Sequence, residues 1–105
     1  MTIQEFYKKL KETMGIEVAY DHFNHAPSIP FIVYIDRGKS HFIADSKIYM
    51  TMTEIQIELY TQDKDPVLES KLEGFLVDHF GVYEDLETIY IKDQDMYQHI
   101  YFIRL

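Results

Sequence analysis

The sequence of 105 residues carries a formal charge of −8, no cysteine, and an aromatic fraction of 15% in which Tyr occurs nine times. That length fits one domain around a single core. The missing thiols exclude disulfides and thiolate chemistry, and the longest apolar runs, such as residues 31–35, fall far short of the roughly 20 residues of a membrane span.

The N-terminus is amphipathic and lacks the basic-then-apolar order of a signal peptide, which reads as a soluble protein made inside the cell. Thr2 and Glu5 fit a capping box, followed by Ile3, Phe6, Tyr7, Leu10 and Met14 at helical spacing, with Gly15 as the stop. Glu5 and Lys9 form an i,i+4 pair on the outer face. Residues 16–20 read as a short strand. Residues 21–30 contain Pro27 and Pro30 and read as an ordered loop anchored by Phe23 and Ile29. His22 and His25 have a spacing that could ligate a metal, but nothing supplies a third ligand, so no metal is expected.

Residues 31–36 are continuously apolar up to Asp36, the pattern of a central strand. Residues 36–40 read as a turn, with Gly38 able to take positive φ, and residues 41–46 lead back into the sheet. Arg37, Lys39, His41 and Lys47 make this the basic patch of the chain. It is either a solvated hairpin tip or a docking point for an acidic neighbour.

The chain is organised around residues 48–61, a long candidate strand. Ile55, Ile57 and Leu59 alternate with Glu54, Gln56 and Glu58, which gives one core face and one wet face. Towards the start the parity reverses, because Ile48, Met50 and Met52 fall on the glutamate side. Either a bulge near residues 52–54 reconciles the halves, or the first half leaves the core and buries its even face against something else.

A polar turn at 62–65 precedes a helix over 66–80, with Asp65 as N-cap, Pro66 at the first helical position and Gly81 past the end. Leu68, Leu72, Phe75, Leu76 and His79 form the face expected to lie on the sheet. Val67, Ser70, Gly74 and Val77 form a second stripe, and Gly74 implies close packing there, most simply against the first helix, with a contact between subunits as the rarer alternative.

Two strands close the chain, 86–91 and 96–105, joined by a polar loop at 92–95. The last has large groups on both faces, Tyr97, His99, Tyr101, Ile103 and Leu105 against Met96, Ile100 and Phe102, and serves the core, a subunit contact or both. The expectation is an α+β fold of order α-β-β-β-α-β-β, a mostly antiparallel sheet with two helices packed on one face.

Charge is unevenly spread, since residues 54–95 hold twelve acids against Lys64, Lys71 and Lys92. Such a surface opposes tight nucleic-acid binding, which rests on cations neutralising phosphates. No catalytic signature is present: the glycines are isolated at 15, 38, 74 and 81, and no Ser or Thr stands in a nucleophile-elbow context. His41 with Asp45, or Glu54 with Glu58, could be paired as acid and base on paper, but exposed acids are expected at such positions anyway. Neither an enzyme nor a cofactor is expected.

Three passages carry a resemblance to a known family: residues 26–34 (APSIPFIVY), residues 44–49 (ADSKIY) leading through 55–61 (IQIELYT) into 65–76, and residues 96–102 (MYQHIYF). They resemble the tail-completion, or tail terminator, proteins of long-tailed bacteriophages and prophages. The resemblance implies a hexameric ring in the virion tail that caps the tail tube and joins it to the head connector, with the tail tube protein and the head connector protein as partners. An acidic lumen would let DNA pass without adhering. The residues expected at the subunit interface are Ile48, Met50, Met52, Tyr97, Tyr101, Arg37, Lys39 and Lys47. The competing reading is a small-molecule-binding or weakly catalytic α+β dimer with a closed apolar pocket.

Overall fold

The computed structural model describes residues 1–25 and 27–105. Ala26, the first residue of the loop passage 26–34, lies outside the described residues. The elements are α1 (Ile3–Met14), β1 (Glu17–Tyr20), β2 (Phe31–Ala44), β3 (Lys47–Thr61), α2 (Pro66–Phe80), β4 (Glu84–Ile91) and β5 (Met96–Arg104), with a 3₁₀ turn over Lys92–Gln94. The strands form one sheet in the order β1-β2-β3-β5-β4, antiparallel throughout except between β1 and β2. This is the expected α+β fold and the expected element order. Among the described residues no helix is long and apolar enough to cross a membrane.

Both helices begin and end where their caps dictate. Thr2 accepts the Glu5 N–H at 3.1 Å to close the capping box, and Gly15 leaves α1 in the left-handed region at φ 66°. Asp65 accepts the Leu68 N–H at 3.0 Å, with Pro66 at the first helical position of α2.

Register then assembles the core. Ile32 pairs with Leu59, Tyr34 with Ile57, Ile57 with Tyr101 and Ile55 with Ile103, so these side chains share one face of the sheet. Phe6, Leu10 and Met14 from α1 and Leu72, Phe75 and Leu76 from α2 join them in a single buried cluster, which places both helices on that face. Phe6 sits at the junction, with ring centroids 5.3 Å from Tyr34, 6.2 Å from Phe75 and 5.9 Å from Phe80.

Four local expectations are corrected. Residues 36–40 do not turn: β2 runs through them with one extra residue, Asp36 pairing with Ile55 and Lys39 with Thr53, and Gly38 takes φ +104° in the bulge while its N–H donates to Asp36 Oδ1 at 2.8 Å. The hairpin reverses at Asp45 and Ser46, whose φ values of 51° and 61° are those of a two-residue type I′ turn. Gly74 is exposed, and a Cβ built on it meets nothing within 4 Å, so it marks no close packing against α1. His79 lies outside the core, exposed at the end of α2 with its ring 4.5 Å from that of Phe75.

The helix-free face is covered in part by the loop between β1 and β2. Phe23 packs edge-on against Phe31 at 5.4 Å, and Phe31 stacks on Tyr60 at 4.7 Å. This cover buries Glu58, expected on the wet face, to 8% exposure. Its carboxylate is satisfied there by Tyr60 Oη at 2.8 Å and Gln56 Nε2 at 2.7 Å, while Gln98 Nε2 donates to Tyr60 Oη at 2.8 Å. Burial and the hydrogen bond to Glu58 raise the Tyr60 hydroxyl well above the usual phenol range, so it remains a donor.

Two substitutions separate the faces of α2. Leu72→Ala, at a fully buried site, should destabilise by roughly 2–5 kcal/mol in denaturant titration, and a loss below about 1 kcal/mol would contradict the helix orientation. Gly74→Ala should instead stabilise by about 0.5–1 kcal/mol, since the methyl group meets open space and the unfolded chain loses freedom.

Candidate functional site

The long hairpin of β2 and β3 outgrows the body of the protein. Fifteen residues of β3 at about 3.3 Å each span roughly 50 Å, which matches the 50 Å long axis of a molecule only 27 Å across. Inside the body β3 is buried at Ile55, Ile57, Glu58 and Leu59. Beyond Met52 it is an arm.

The parity reversal in β3 therefore has the second of its two explanations: the first half of the strand leaves the core. Nothing in the described chain covers it. Phe42, Ile43, Ile48, Tyr49 and Met50 are each between 57 and 65% exposed. Ser40 pairs with Met52 and Phe42 with Met50, so one face of the arm is apolar, and these residues line a groove with Arg104 at its base. Lys39 pairs with Thr53 and His41 with Thr51, which makes the opposite face polar, and His41 Nδ1 lies 2.9 Å from Thr51 Oγ1. A second register shift lies between Phe42 and Ile43, leaving Tyr49 as the extra residue near the tip.

Among the eight residues expected at an interface, Ile48 and Met50 lie exposed on the arm and Met52 is half-buried at its root. Arg37 and Lys39 flank the bulge at the root and Lys47 stands beside the turn, all exposed, so the basic groups run along the arm. Tyr97 is half-buried, its ring 5.1 Å from Tyr90. Tyr101 is fully enclosed beneath α2, with its hydroxyl donating to Glu73 Oε2 at 2.6 Å, and offers no surface to a neighbour. Phe42 and Ile43 belong to the arm but fall outside that set because residues 41–46 read as a connector in the sequence, and Tyr49 falls outside it because it stands on the opposite parity from Ile48, Met50 and Met52. The apolar pair Phe42-Ile43 followed by Asp45-Ser46 is the signal that could have found them.

A second exposed surface lies at the far edge of the sheet. Among the described residues β4 pairs only with β5 and leaves its other side open, with Leu86, Ile89 and Tyr90 exposed among Glu84, Asp85 and Glu87. Tyr90 Oη donates to Asp95 Oδ1 at 2.8 Å, and that hydrogen bond is the main cause that raises its hydroxyl above the usual phenol range.

The acid and base pairs conceivable from sequence do not assemble. His41 bonds Thr51 rather than Asp45. Glu54 and Glu58 stand four residues apart on one strand, about 13 Å, beyond the separation at which two carboxyl groups act on one bond. His22 Nδ1 rests 2.9 Å from the neighbouring Asp21 and, among the described residues, belongs to no group of three metal-ligating side chains. No protein-family model matches the chain, and no curated protein matches it.

The arm makes a direct prediction about the isolated subunit. Phe42→Ser and Tyr49→Ser should each change unfolding stability by no more than about 0.5 kcal/mol, as expected of side chains that cover no core. A loss above about 1.5 kcal/mol would mean that the arm folds back on the body.

Proposed function

We propose that this chain is a structural protein of a phage or prophage tail, which assembles as a hexameric ring, terminates the tail tube and joins it to the head connector. The observation that carries this reading is the arm: a two-stranded extension with exposed Phe42, Ile43, Ile48, Tyr49 and Met50 that its own subunit leaves uncovered. Five large apolar side chains on one projection are costly in water, at about 25 cal/mol per Å² of apolar surface, and a neighbouring subunit is the simplest way to bury them.

The arm and the β4 edge are different surfaces, which is what a ring requires. A contact between like patches closes a dimer, whereas a contact between unlike patches closes a ring or continues as a filament. Arg37, Lys39 and Lys47 give the arm a basic rim, and Glu84, Asp85 and Glu87 make the edge acidic, so charge favours arm-to-edge docking and sets its register. The three passages behind the family resemblance fall on the loop and β2, on β3 with α2, and on β5. The partners on this reading are further copies, the tail tube protein and the head connector protein, in the virion tail, and the acidic second half keeps passing DNA from adhering.

Native mass spectrometry at rising concentration, followed by negative-stain microscopy with isolated tail tubes, tests this. Rings, or subunits capping tube ends, are expected, and Tyr49→Asp or the double change Arg37→Glu with Lys39→Glu should abolish them. Raising salt from 0.1 to 1 M should weaken the arm-to-edge contact, because the screening length falls from about 10 to about 3 Å. Strict dimers with no binding at tube ends would return the reading to a small-molecule-binding or weakly catalytic α+β dimer.

A further inference from the structure

Where α2 crosses towards the sheet edge, acids from two elements converge on one imidazole. Glu69 and Glu73 stand on successive turns of α2, Asp85 on β4, and His99 on β5. His99 is only 7% exposed, and its ring stacks on that of Tyr101 at 4.2 Å and 12°. Its Nε2 lies 2.9 Å from Asp85 Oδ1, and its Nδ1 lies 3.4 Å from both Glu69 Oε2 and the Tyr101 hydroxyl. That hydroxyl gives its proton to Glu73 Oε2 at 2.6 Å.

A neutral imidazole has one N–H and one lone pair. With the proton on Nε2, Asp85 is served, and the Nδ1 lone pair faces a carboxylate and a phenol oxygen whose proton is already committed. With the proton on Nδ1, the Tyr101 oxygen can accept it, and the Nε2 lone pair faces the Asp85 carboxylate. Either tautomer sets an imidazole lone pair against an oxygen lone pair, which is unfavourable. The charge count is unbalanced too: among the described residues, three carboxylates are answered by one lysine, Lys64, 2.6 Å from Glu69. A cation between Nε2 and Asp85 removes both conflicts.

We propose that His99, Asp85 and Glu73 bind a divalent transition-metal ion of the zinc class, pinning α2 to the β4–β5 edge of the sheet. One ligand atom from each lies within 4.8 Å of the others, and one imidazole nitrogen with two carboxylate oxygens is a zinc donor set that leaves a fourth position for water. The surroundings fit the same role. With the ion on Nε2, Nδ1 keeps its proton 3.4 Å from the Tyr101 hydroxyl oxygen, with the Glu69 carboxylate beside it, and that hydroxyl in turn orients Glu73, an outer shell of the kind that positions ligating histidines. Seating the ion requires the 2.9 Å gap between Nε2 and Asp85 to open, and the remaining ligand separations of up to 4.8 Å to close, to roughly 3.3 Å. Asp85 can yield that distance, since it is exposed on an edge strand at the register shift between Asp85 and Glu87, and its exposure also provides the route of entry.

The test uses the full chain after chelator treatment, with zinc as probe and magnesium as comparison. Zinc should bind one to one and raise Tm by about 5–10 °C at saturation. The rise should vanish in His99→Gln and in Asp85→Asn and persist in the double variant His22→Gln with His25→Gln, which controls for the exposed histidine pair between β1 and β2. Cobalt in place of zinc should give visible d–d absorption that depends on His99. If His99→Gln fails to fold, Asp85→Asn alone decides, because its side chain is not part of the core. An equal rise in Asp85→Asn, or no rise in the unaltered chain at millimolar zinc, would overturn the proposal.

Discussion

The length of β3 is the constraint on which the rest of the structure depends. Its 15 residues extend roughly 50 Å, whereas α1 and α2, of 12 and 15 residues, are about 18 and 22 Å long at 1.5 Å per residue. Two helices of that size cover about half of such a strand. The inner half, with Ile55, Ile57 and Leu59, takes the helices and the core; the outer half has no layer above it. The reversal of apolar parity between Met52 and Ile55 follows from this division, since the outer residues answer to no helix of their own subunit.

The second face of the sheet is finished by polar chemistry rather than by another layer. Glu58 is buried beside Phe31 and Tyr60, and an unpaired carboxylate there would cost several kcal/mol. Tyr60 and Gln56 donate to it and Gln98 donates to Tyr60, so the chain leaves no buried side-chain polar atom without a partner among the described residues. This network ties β3 to β5 on the face opposite the helices. The aromatic stack of Phe23, Phe31 and Tyr60 holds the β1–β2 loop above it. The inner half of the sheet is therefore fixed from both sides, which gives the arm a rigid root.

What is legible in the residues is what they encode locally. Capping groups at Thr2, Asp65 and Pro66 fix both helices, and helical spacing selects Leu72, Phe75 and Leu76, all buried. The hairpin turn at Asp45-Ser46 leaves a signal that is outweighed, because Asp36-Arg-Gly-Lys-Ser40 carries stronger turn residues, yet its glycine serves a bulge in a continuous strand. Glu58 and Gly74 mislead for a related reason: the burial of one depends on a loop distant in sequence, and the freedom of the other on the absence of a neighbour. The cluster at His99 is invisible in the sequence, since its members stand on α2, β4 and β5 and no spacing relates them.

On the ring reading, the distribution of charge explains why the arm does not pair with another arm. An exposed two-stranded ribbon with apolar side chains is a template for edge-to-edge association, which proteins oppose with charge. Arg37, Lys39 and Lys47 set like charges against each other when two arms approach, and Glu84, Asp85 and Glu87 do the same for two β4 edges. Both like-with-like contacts, the ones that would close a dimer, are thereby disfavoured, while arm against edge brings opposite charges together. On the same reading, a net charge of −8 carried mostly by the second half of the chain would also keep free subunits apart until an arm finds an edge. Specificity for the unlike contact thus arises from repulsion in the two like ones as much as from attraction across the interface.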